Sequence, residues 1–205
     1  MIKNILFDMG SVLVRFEPDM FVAKLGLAPA DAEALRREVF RSADWVRLDR
    51  GVFTQQQMID AAKSRLPARL HGYVDDLVLH WDEGRPEVPG AFELVRELSD
   101  GGYRLFLLTN ASLRHKEYWP TFRFAPYFGE RIMLSAEWKL LKPEHEFYEK
   151  AVALLGFDPA ESVFIDDQPV NVEAAERCGI PGIVFHGDVA LLRQRLREKG
   201  VNISA

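Results

Sequence analysis

The sequence predicts an α/β fold, a doubly wound parallel sheet of the Rossmann-like kind, with an inserted α-helical segment. Two features of its 205 residues predict this fold: short apolar runs alternate with helical stretches, and one connection is much longer than the others. The apolar runs are rich in β-branched or aromatic residues and do not alternate with polar ones, as in parallel strands that are covered on both faces. Strand–helix alternation of this kind indicates right-handed crossover connections.

Five apolar runs are predicted to be strands, and each ends at a polar residue. They are "NILF" before Asp8, "YRLFLL" before Thr109, "RIML" before Ser135, "SVFI" before Asp166 and "GIVF" before His186. Helices are predicted between them from stretches that start near a proline and end in glycine: "PGAFELVRELSDGG", "KPEHEFYEKAVALLG" and "PVNVEAAERCG". In the second of these stretches we expect Pro143 in the first helical turn. The closing glycines suit helix C-termini.

The long connection follows the first predicted strand and spans roughly ninety residues, far more than a βα crossover needs. Most of it has helical patterning, in "PDMFVAKLG", "PADAEALRREVF", "TQQQMIDAAKSRL" with Thr54 as its N-cap, and "RLHGYVDDLVLHW". We therefore predict an α-helical cap at residues 15–85, inserted into an α/β core made of residues 1–14 and 86–205. Because the insertion leaves the sheet at the edge where ligands bind, a mobile cap over a site is a sharper hypothesis than a passive decoration.

Charge and composition limit the function classes. A net charge of −5 gives no electrostatic case for nucleic acid or an anionic membrane as a partner, although a local cation can still create a site for an anionic substrate. Cys178 is the single cysteine and cannot form an internal disulfide, which fits a reducing compartment. The N-terminal apolar stretch is too short for a signal peptide, and no run approaches the roughly 18 apolar residues of a membrane span. We expect a cytoplasmic protein, and the oligomeric state stays open.

Polar side chains that carry chemistry follow several of the predicted strands. The first strand is followed by Asp8, the second by Thr109 and Asn110, and the fourth by the acidic pair Asp166-Asp167. Each of these alone is ordinary turn or cap chemistry. Two adjacent acids after a buried run, however, repel each other unless a cation neutralises them. Because the carboxyl ends of parallel strands meet at one edge of the sheet, these groups could converge there.

This set of side chains suits a magnesium ion and a phosphoryl group. Asp8 and Asp167 together offer hard oxygen ligands, and Mg²⁺ typically takes one or two carboxylates and keeps several waters. Thr109 can donate a hydrogen bond to a phosphoryl oxygen, and Lys142, just ahead of a predicted helix, supplies a positive charge. The sequence therefore predicts Mg²⁺ as the cofactor and a phosphorylated substrate.

Four motifs resemble, in their order along the chain, those of the haloacid dehalogenase superfamily of hydrolases: "FDMGSVLV", "LLTN", "LKPE" and "FIDDQPVNVEAAERCGI". The resemblance covers nearly the whole chain, and the helical insertion is similar to the C1 cap of that superfamily. The likeness is greatest to a branch of small bacterial sugar-phosphate phosphatases, of the α-D-glucose-1-phosphate phosphatase kind. It implies a Mg²⁺-dependent phosphoric monoester hydrolase that acts on a small phosphorylated metabolite, with sugar phosphates as one candidate.

The resemblance also implies a role for each motif residue. Asp8 is expected to be the nucleophile and to form an aspartyl-phosphate. The expected metal-binding residues are Asp8, Gly10 through its main-chain carbonyl, Asp167 and, directly or through water, Asp166, with Asn171 supporting the site. The expected phosphate-binding residues are Thr109, Asn110 and Lys142, of which Thr109 and Lys142 are also expected to take part in catalysis. The spacing of Asp167 and Asn171 predicts that these two share one helix face, which favours Asp167 over Asp166 as the direct ligand.

Gly10 departs from the pattern of the superfamily, in which most phosphatases carry a second aspartate two residues after the nucleophile. That aspartate acts as general acid and base, a role typically worth about 10²–10⁴-fold in rate. Three interpretations stay open: the leaving group needs little help, the activity is slow, or a cap residue supplies the proton, with Glu17, Asp19, Asp44 and His80 as candidates. The resembling branch shares the glycine, which favours the cap residue or the leaving group as the explanation.

Other function classes are alternatives. A 2-haloacid dehalogenase needs no Mg²⁺ and should not need the Asp166-Asp167 pair. Gly10 leaves room for a weakly active or non-catalytic protein that binds a phosphorylated metabolite. Phospho-acceptor receiver domains use similar groups, but their acidic pair follows the first strand and they carry no such helical insertion. Packing, rather than a role in a site, is the interpretation for Trp45, Trp81 and Trp119.

Overall fold

A computed structural model describes residues 1–204 of the chain. Within that range, five parallel strands form one sheet in the order β3-β2-β1-β4-β5. Their bounds are β1 Asn4–Phe7, β2 Arg104–Thr109, β3 Ile132–Leu134, β4 Ser162–Asp166 and β5 Gly182–Val184. All five predicted strands are confirmed, with single-residue shifts at some of their ends. The doubly wound α/β fold is confirmed with them.

Helices flank the sheet and fill the long connection after β1. Those that the structure describes are α1 Pro18–Ala23, α2 Pro29–Leu35, α3 Ala43–Asp49, α4 Gln55–Ser64, α5 His71–Leu79, α6 Ala91–Asp100, α7 His115–Tyr118, α8 Ala125–Phe128, α9 Ser135–Trp138, α10 His145–Leu155, α11 Pro169–Arg177 and α12 Val189–Glu198. A π-helical turn at Arg36–Phe40 continues α2 directly. Among residues 1–204, none of the helices has both the length and the apolar character that crossing a bilayer requires.

The expected position of Pro143 was wrong. The N-cap of α10 is Glu144, so Pro143 lies before the helix and not in its first turn. The reason is a long-range contact. The peptide groups on both sides of Lys142 are hydrogen-bonded to the side chain of Asn110, which holds this segment in a loop.

Alternate residues of the central strand pack on opposite faces of the sheet. In β1, Ile5 and Phe7 join the apolar cluster formed with α6, α8 and α12, whereas Leu6 joins the cluster formed with α10 and α11. All three side chains are buried, as expected for the middle strand of a sheet that is covered on both sides. The register pairs Phe7 with Leu107 of β2 and with Ile165 of β4. The residues that follow these strands therefore lie side by side at one edge.

The chain between β1 and β2 forms a helical insertion with an apolar cluster of its own. Helices α1 to α5 bury side chains such as Phe21, Leu35 and Met58 against one another. Helix α4 begins at the predicted N-cap, where Thr54 Oγ1 accepts a hydrogen bond from the Gln57 amide. The domain boundaries at 14/15 and 85/86 stay a prediction.

Helix α3 was not predicted from the sequence. It begins after Ser42, whose side-chain oxygen accepts a hydrogen bond from the Trp45 amide, as N-cap residues commonly do. The helix has only seven residues, too few to show a helical period clearly. Helix α3 carries two of the residues that line the candidate site, Trp45 and Asp49.

Candidate active site

Lys142 is the centre of a buried ion cluster at the carboxyl edge of the sheet. Its Nζ lies 2.8 Å from Asp8 Oδ1 and 2.7 Å from Asp166 Oδ2, and it donates a hydrogen bond to the Leu108 carbonyl at 2.9 Å. Burial by itself lowers the pKa of Lys142, but attraction to Asp166 and Asp8 outweighs it and raises the pKa above its usual value. The lysine is therefore charged, and the sheet brings together three groups that the sequence placed at its edge.

Asn171 contacts Asp166 and not Asp167, contrary to the expectation from spacing. Its Nδ2 lies 3.0 Å from Asp166 Oδ1 and 3.1 Å from Oδ2, and the Gln168 amide donates to Asp166 Oδ1 at 2.8 Å. Side chains of a helix tilt toward its N-terminus, so the first turn of α11 points back at the strand end that carries Asp166. Of the hydrogen bonds within residues 1–204, the Asp167 side chain accepts one, from Gln168 Nε2. Asp167 thus keeps more free acceptor capacity than Asp166.

Three carboxylates of this cluster are close enough to share a metal ion. Asp8, Asp166 and Asp167 each offer an oxygen within 4.8 Å of the other two, and Lys142 offsets only one of the three negative charges. Burial raises the pKa of Asp8 to about 7 against the attraction of Lys142, and repulsion from Asp166 adds to the rise. Burial and Asp166 also raise the pKa of Asp167. A divalent cation that prefers oxygen ligands would neutralise this excess charge, so the residues fit Mg²⁺.

The loop after β2 lies against the peptide groups of Lys142. Asn110 Nδ2 donates to the Lys142 carbonyl at 3.0 Å, and Asn110 Oδ1 accepts from the Lys142 amide at 2.9 Å. The side chain of Asn110 therefore positions Lys142, and only its main chain is left to meet a phosphoryl group. Thr109, the last residue of β2, is buried and lines the site.

A cavity of about 200 Å³ lies between this cluster and the helical insertion. Seven of the eight predicted site residues line it, and the eighth, Asp166, is fully buried behind Lys142. On the side of the insertion, the lining includes Phe16, Trp45 and Trp81. The ring centroid of Trp81 lies 5.1 Å from that of Phe16 and 5.8 Å from that of Trp45. The two tryptophans pack against other rings as expected, but they also form a wall of the cavity.

Contacts with the core hold the end of α3 beside the cavity. Ser135 Oγ donates to the Asp49 carbonyl at 2.6 Å and accepts from the Ala111 amide at 2.9 Å. Arg50 forms an ion pair with Glu144, the N-cap of α10. Asp49 lines the cavity and was not among the site residues predicted from the sequence. The N-cap signal before α3 could have predicted the helix, but not its contacts with the core.

The four proton donors predicted from the sequence lie elsewhere. Within the described residues, none of the four lines the cavity. Glu17 lines a neighbouring cleft instead. The other three contact polar partners away from the cavity: Asp19 pairs with Arg36, Asp44 pairs with Arg47 and Arg65, and His80 is hydrogen-bonded to Glu83. A cap residue that supplies a proton would therefore have to be a different one.

The family model described as haloacid dehalogenase-like hydrolase matches residues 2–179. The chain belongs to the haloacid dehalogenase-like hydrolases. The family predicted from the four motifs is thereby confirmed. The assignment of the insertion as a C1 cap and the sugar-phosphate branch stay predictions.

Curated relatives of this haloacid dehalogenase-like hydrolase include two enzymes named for phosphate esters. The chain is 28% identical to flavin mononucleotide hydrolase 1 of Arabidopsis thaliana over 121 aligned residues. The alignment covers 59% of this chain and 49% of that protein. The chain thus spans about half the length of that relative. It is also 28% identical over 192 residues to a sesquiterpene phosphatase of Aspergillus oryzae, with 88% of each protein covered.

Solved structures of haloacid dehalogenase-like proteins share the fold. A family enzyme of Bacteroides thetaiotaomicron, in complex with magnesium and inorganic phosphate, is 22% identical with a TM-score of 0.72, covering 94% of this chain and 99% of that one. L-2-haloacid dehalogenase of Xanthobacter autotrophicus is 18% identical with a TM-score of 0.67, covering 96% and 83%. At these identities the likeness concerns the fold alone, so the choice between reactions depends on the site.

Proposed function

We propose that this hydrolase is a Mg²⁺-dependent phosphatase that hydrolyses a small phosphorylated metabolite through an aspartyl-phosphate on Asp8. The observation that supports this function most directly is that three carboxylates lie together beside a single lysine, Lys142, which leaves a net negative charge. A cation held next to a nucleophilic carboxylate is what attack on an anionic phosphoryl group requires, whereas a dehalogenase has no such requirement. The names of the two curated relatives support the same reaction class.

Charge repulsion is the main obstacle that the site has to overcome. A carboxylate and a phosphoryl oxygen 4 Å apart repel each other by about 4 kcal/mol at an effective dielectric constant near 20. Lys142 places a fixed positive charge 2.8 Å from Asp8 and so lowers this barrier. When bound, Mg²⁺ would supply further positive charge that offsets this repulsion. The residues that would hold it are Asp8, Asp167 and the main-chain carbonyl of Gly10.

Orientation of the substrate comes from the loop after β2 and from the cavity walls. Thr109 and Asn110 line the cavity, which supports the proposal that the Thr109 hydroxyl and the main chain at Asn110 orient the phosphoryl oxygens. A cavity of about 200 Å³ is smaller than the roughly 300–1,000 Å³ of sites for drug-sized ligands, which favours a compact leaving group such as a sugar. The single cysteine, Cys178, supports a reducing, cytoplasmic location for such a metabolite enzyme.

Phosphate release from p-nitrophenyl phosphate and from a panel of sugar phosphates tests this function. We expect turnover that chelation abolishes and Mg²⁺ restores. The Asp8→Asn variant should lose turnover while keeping its melting temperature, and Asp167→Asn should weaken Mg²⁺ binding by at least about tenfold. Asp158→Asn, at an exposed position, is the matched control and should behave as the native protein.

Three results would contradict the phosphatase. Substantial phosphate release by a folded Asp8→Asn variant would remove Asp8 as the nucleophile. Halide release from a 2-haloacid without Mg²⁺, in the absence of phosphate release, would favour the dehalogenase. Binding of phosphorylated metabolites without turnover would favour a non-catalytic binding protein.

A further inference from the structure

Gly10 leaves the proposed phosphatase without a carboxyl group two residues after Asp8. Space is not the reason for this glycine: a Cβ at Gly10 would lie 3.6 Å from Phe16 Cβ, an ordinary contact, and its backbone is outside the left-handed region. A proton donor for the leaving group has to come from another part of the cavity. Among the described residues that line it, the carboxyl groups belong to Asp8, Asp167 and Asp49. The first two serve the nucleophile and the metal, which leaves Asp49.

The position of Asp49 suits the leaving group. In phosphoryl transfer the attacking and leaving oxygens lie roughly in line on opposite sides of phosphorus. Asp8 attacks from the sheet, so the leaving oxygen points toward the insertion, where Asp49 ends α3. Ser135 bridges the Asp49 carbonyl, at 2.6 Å, to the Ala111 amide of the loop after β2, at 2.9 Å. Asp49 is therefore held beside the very loop that orients the phosphoryl group.

The surroundings of Asp49 favour the protonated carboxyl group. Burial raises its pKa well above the usual value, opposed by the Trp45 side chain and the Ser112 backbone, and the Asp8 charge raises it further. Asp49 is the last residue of α3, where the helix dipole disfavours a negative charge. Within residues 1–204 no lysine or arginine pairs with it, whereas Asp44 on the same helix pairs with arginines. Asp49 can thus carry a proton at the wall of the cavity.

We propose that Asp49 is the general acid and base of this hydrolase, a role that rests on the phosphatase proposed above. In the first step an Asp8 oxygen bonds to phosphorus, the bond from phosphorus to the leaving oxygen breaks, and the Asp49 carboxyl group gives its proton to that oxygen. In the second step the Asp49 carboxylate takes a proton from water, the water oxygen bonds to phosphorus, and the bond from phosphorus to Asp8 breaks. Phosphate leaves, and both aspartates return to their starting states.

The test compares two leaving groups in the native protein and in Asp49→Asn. Glycerol phosphate has a poor, alkyl leaving group and needs an acid, whereas p-nitrophenyl phosphate has a good one and does not. Because kcat/KM reports only the steps up to the first bond cleavage, we expect Asp49→Asn to lower it about 10²–10⁴-fold for glycerol phosphate and less than about threefold for p-nitrophenyl phosphate. Loss of the base should slow the second step for both, so p-nitrophenol appears as a burst of one equivalent per protein.

Two further variants sharpen the comparison. Asp44→Asn makes the same change on the same helix outside the cavity, and it should keep the native ratio of the two kcat/KM values. Gly10→Asp in the Asp49→Asn background places a carboxyl group where the structure has room for one, and it should restore part of the glycerol phosphate rate.

Equal losses of kcat/KM for the two substrates in Asp49→Asn, or no loss of kcat/KM for either, would overturn the role of Asp49. A steep dependence on the leaving group in the native protein would overturn it as well, and that measurement does not need a folded variant. A native protein that releases no phosphate from either substrate or from the sugar-phosphate panel would instead show that the phosphatase proposal itself had failed.

Discussion

Replacement of Lys142 by methionine removes the one positive charge that binds the two buried carboxylates together. The lysine Nζ lies 2.8 Å from Asp8 and 2.7 Å from Asp166. At an effective dielectric constant near 20, each of these contacts corresponds to about 6 kcal/mol of Coulomb attraction. Methionine also removes the cost of burying the ammonium group, and loss of one partner from a buried pair typically costs about 3–5 kcal/mol. We therefore expect Lys142→Met to lower the free energy of unfolding by about 3–5 kcal/mol.

Urea denaturation in the presence and absence of Mg²⁺ measures the effect. Lys3→Met is the matched control, because Lys3 pairs with Glu161 at 2.6 Å but is largely exposed, and such pairs are worth at most about 1 kcal/mol. Mg²⁺ should recover part of the loss at Lys142, since a ligand that binds the folded state stabilises it. If Lys142→Met cost no more unfolding free energy than Lys3→Met, the buried carboxylates would not need the charge of Lys142.

Two other predictions concern the insertion and the pH dependence of stability. Gly51→Ala should lower the free energy of unfolding by at least about 2 kcal/mol more than Gly26→Ala. Both glycines have positive φ, but a Cβ would overlap a neighbouring backbone, that of Ala136, only at Gly51. Equal losses would show that α3 is not held against the core. Burial, helped by Arg85, lowers the pKa of His115 to about 3 from an unfolded value near 6.5. Between these pH values the unfolded chain binds the proton and the folded protein does not, so the free energy of unfolding decreases as the pH is lowered. In denaturation curves recorded across this pH range, His115 should contribute about 1.4 kcal/mol per pH unit to the slope of the unfolding free energy against pH, and His115→Phe should remove this contribution. An unchanged slope in the variant would contradict a buried neutral histidine.

The strands and the edge of the site could be predicted from the sequence because their signals are local. A parallel strand that is buried on both faces is an apolar run whatever its neighbours are, so "NILF" and "SVFI" could be recognised one at a time. The carboxyl ends of such strands share one edge, which is why Asp8 and Asp166 were expected near each other before any contact was known. The four ordered motifs were specific enough to predict the family that the comparison confirmed.

Other features depend on how segments meet, and no short stretch of sequence encodes that. The spacing of Asn171 suggested Asp167 as its partner, but the turn between β4 and α11 points it at Asp166. Asp49 lies in a short helix with little periodicity, and its place in the cavity depends on a hydrogen bond with Ser135, 86 residues further along the chain. Local patterns along the chain are therefore enough to predict the sheet and the chemistry of its edge. Which acid of the insertion faces that edge depends on how the insertion packs on the core, because this packing brings Asp49, and not Asp44, to the cavity.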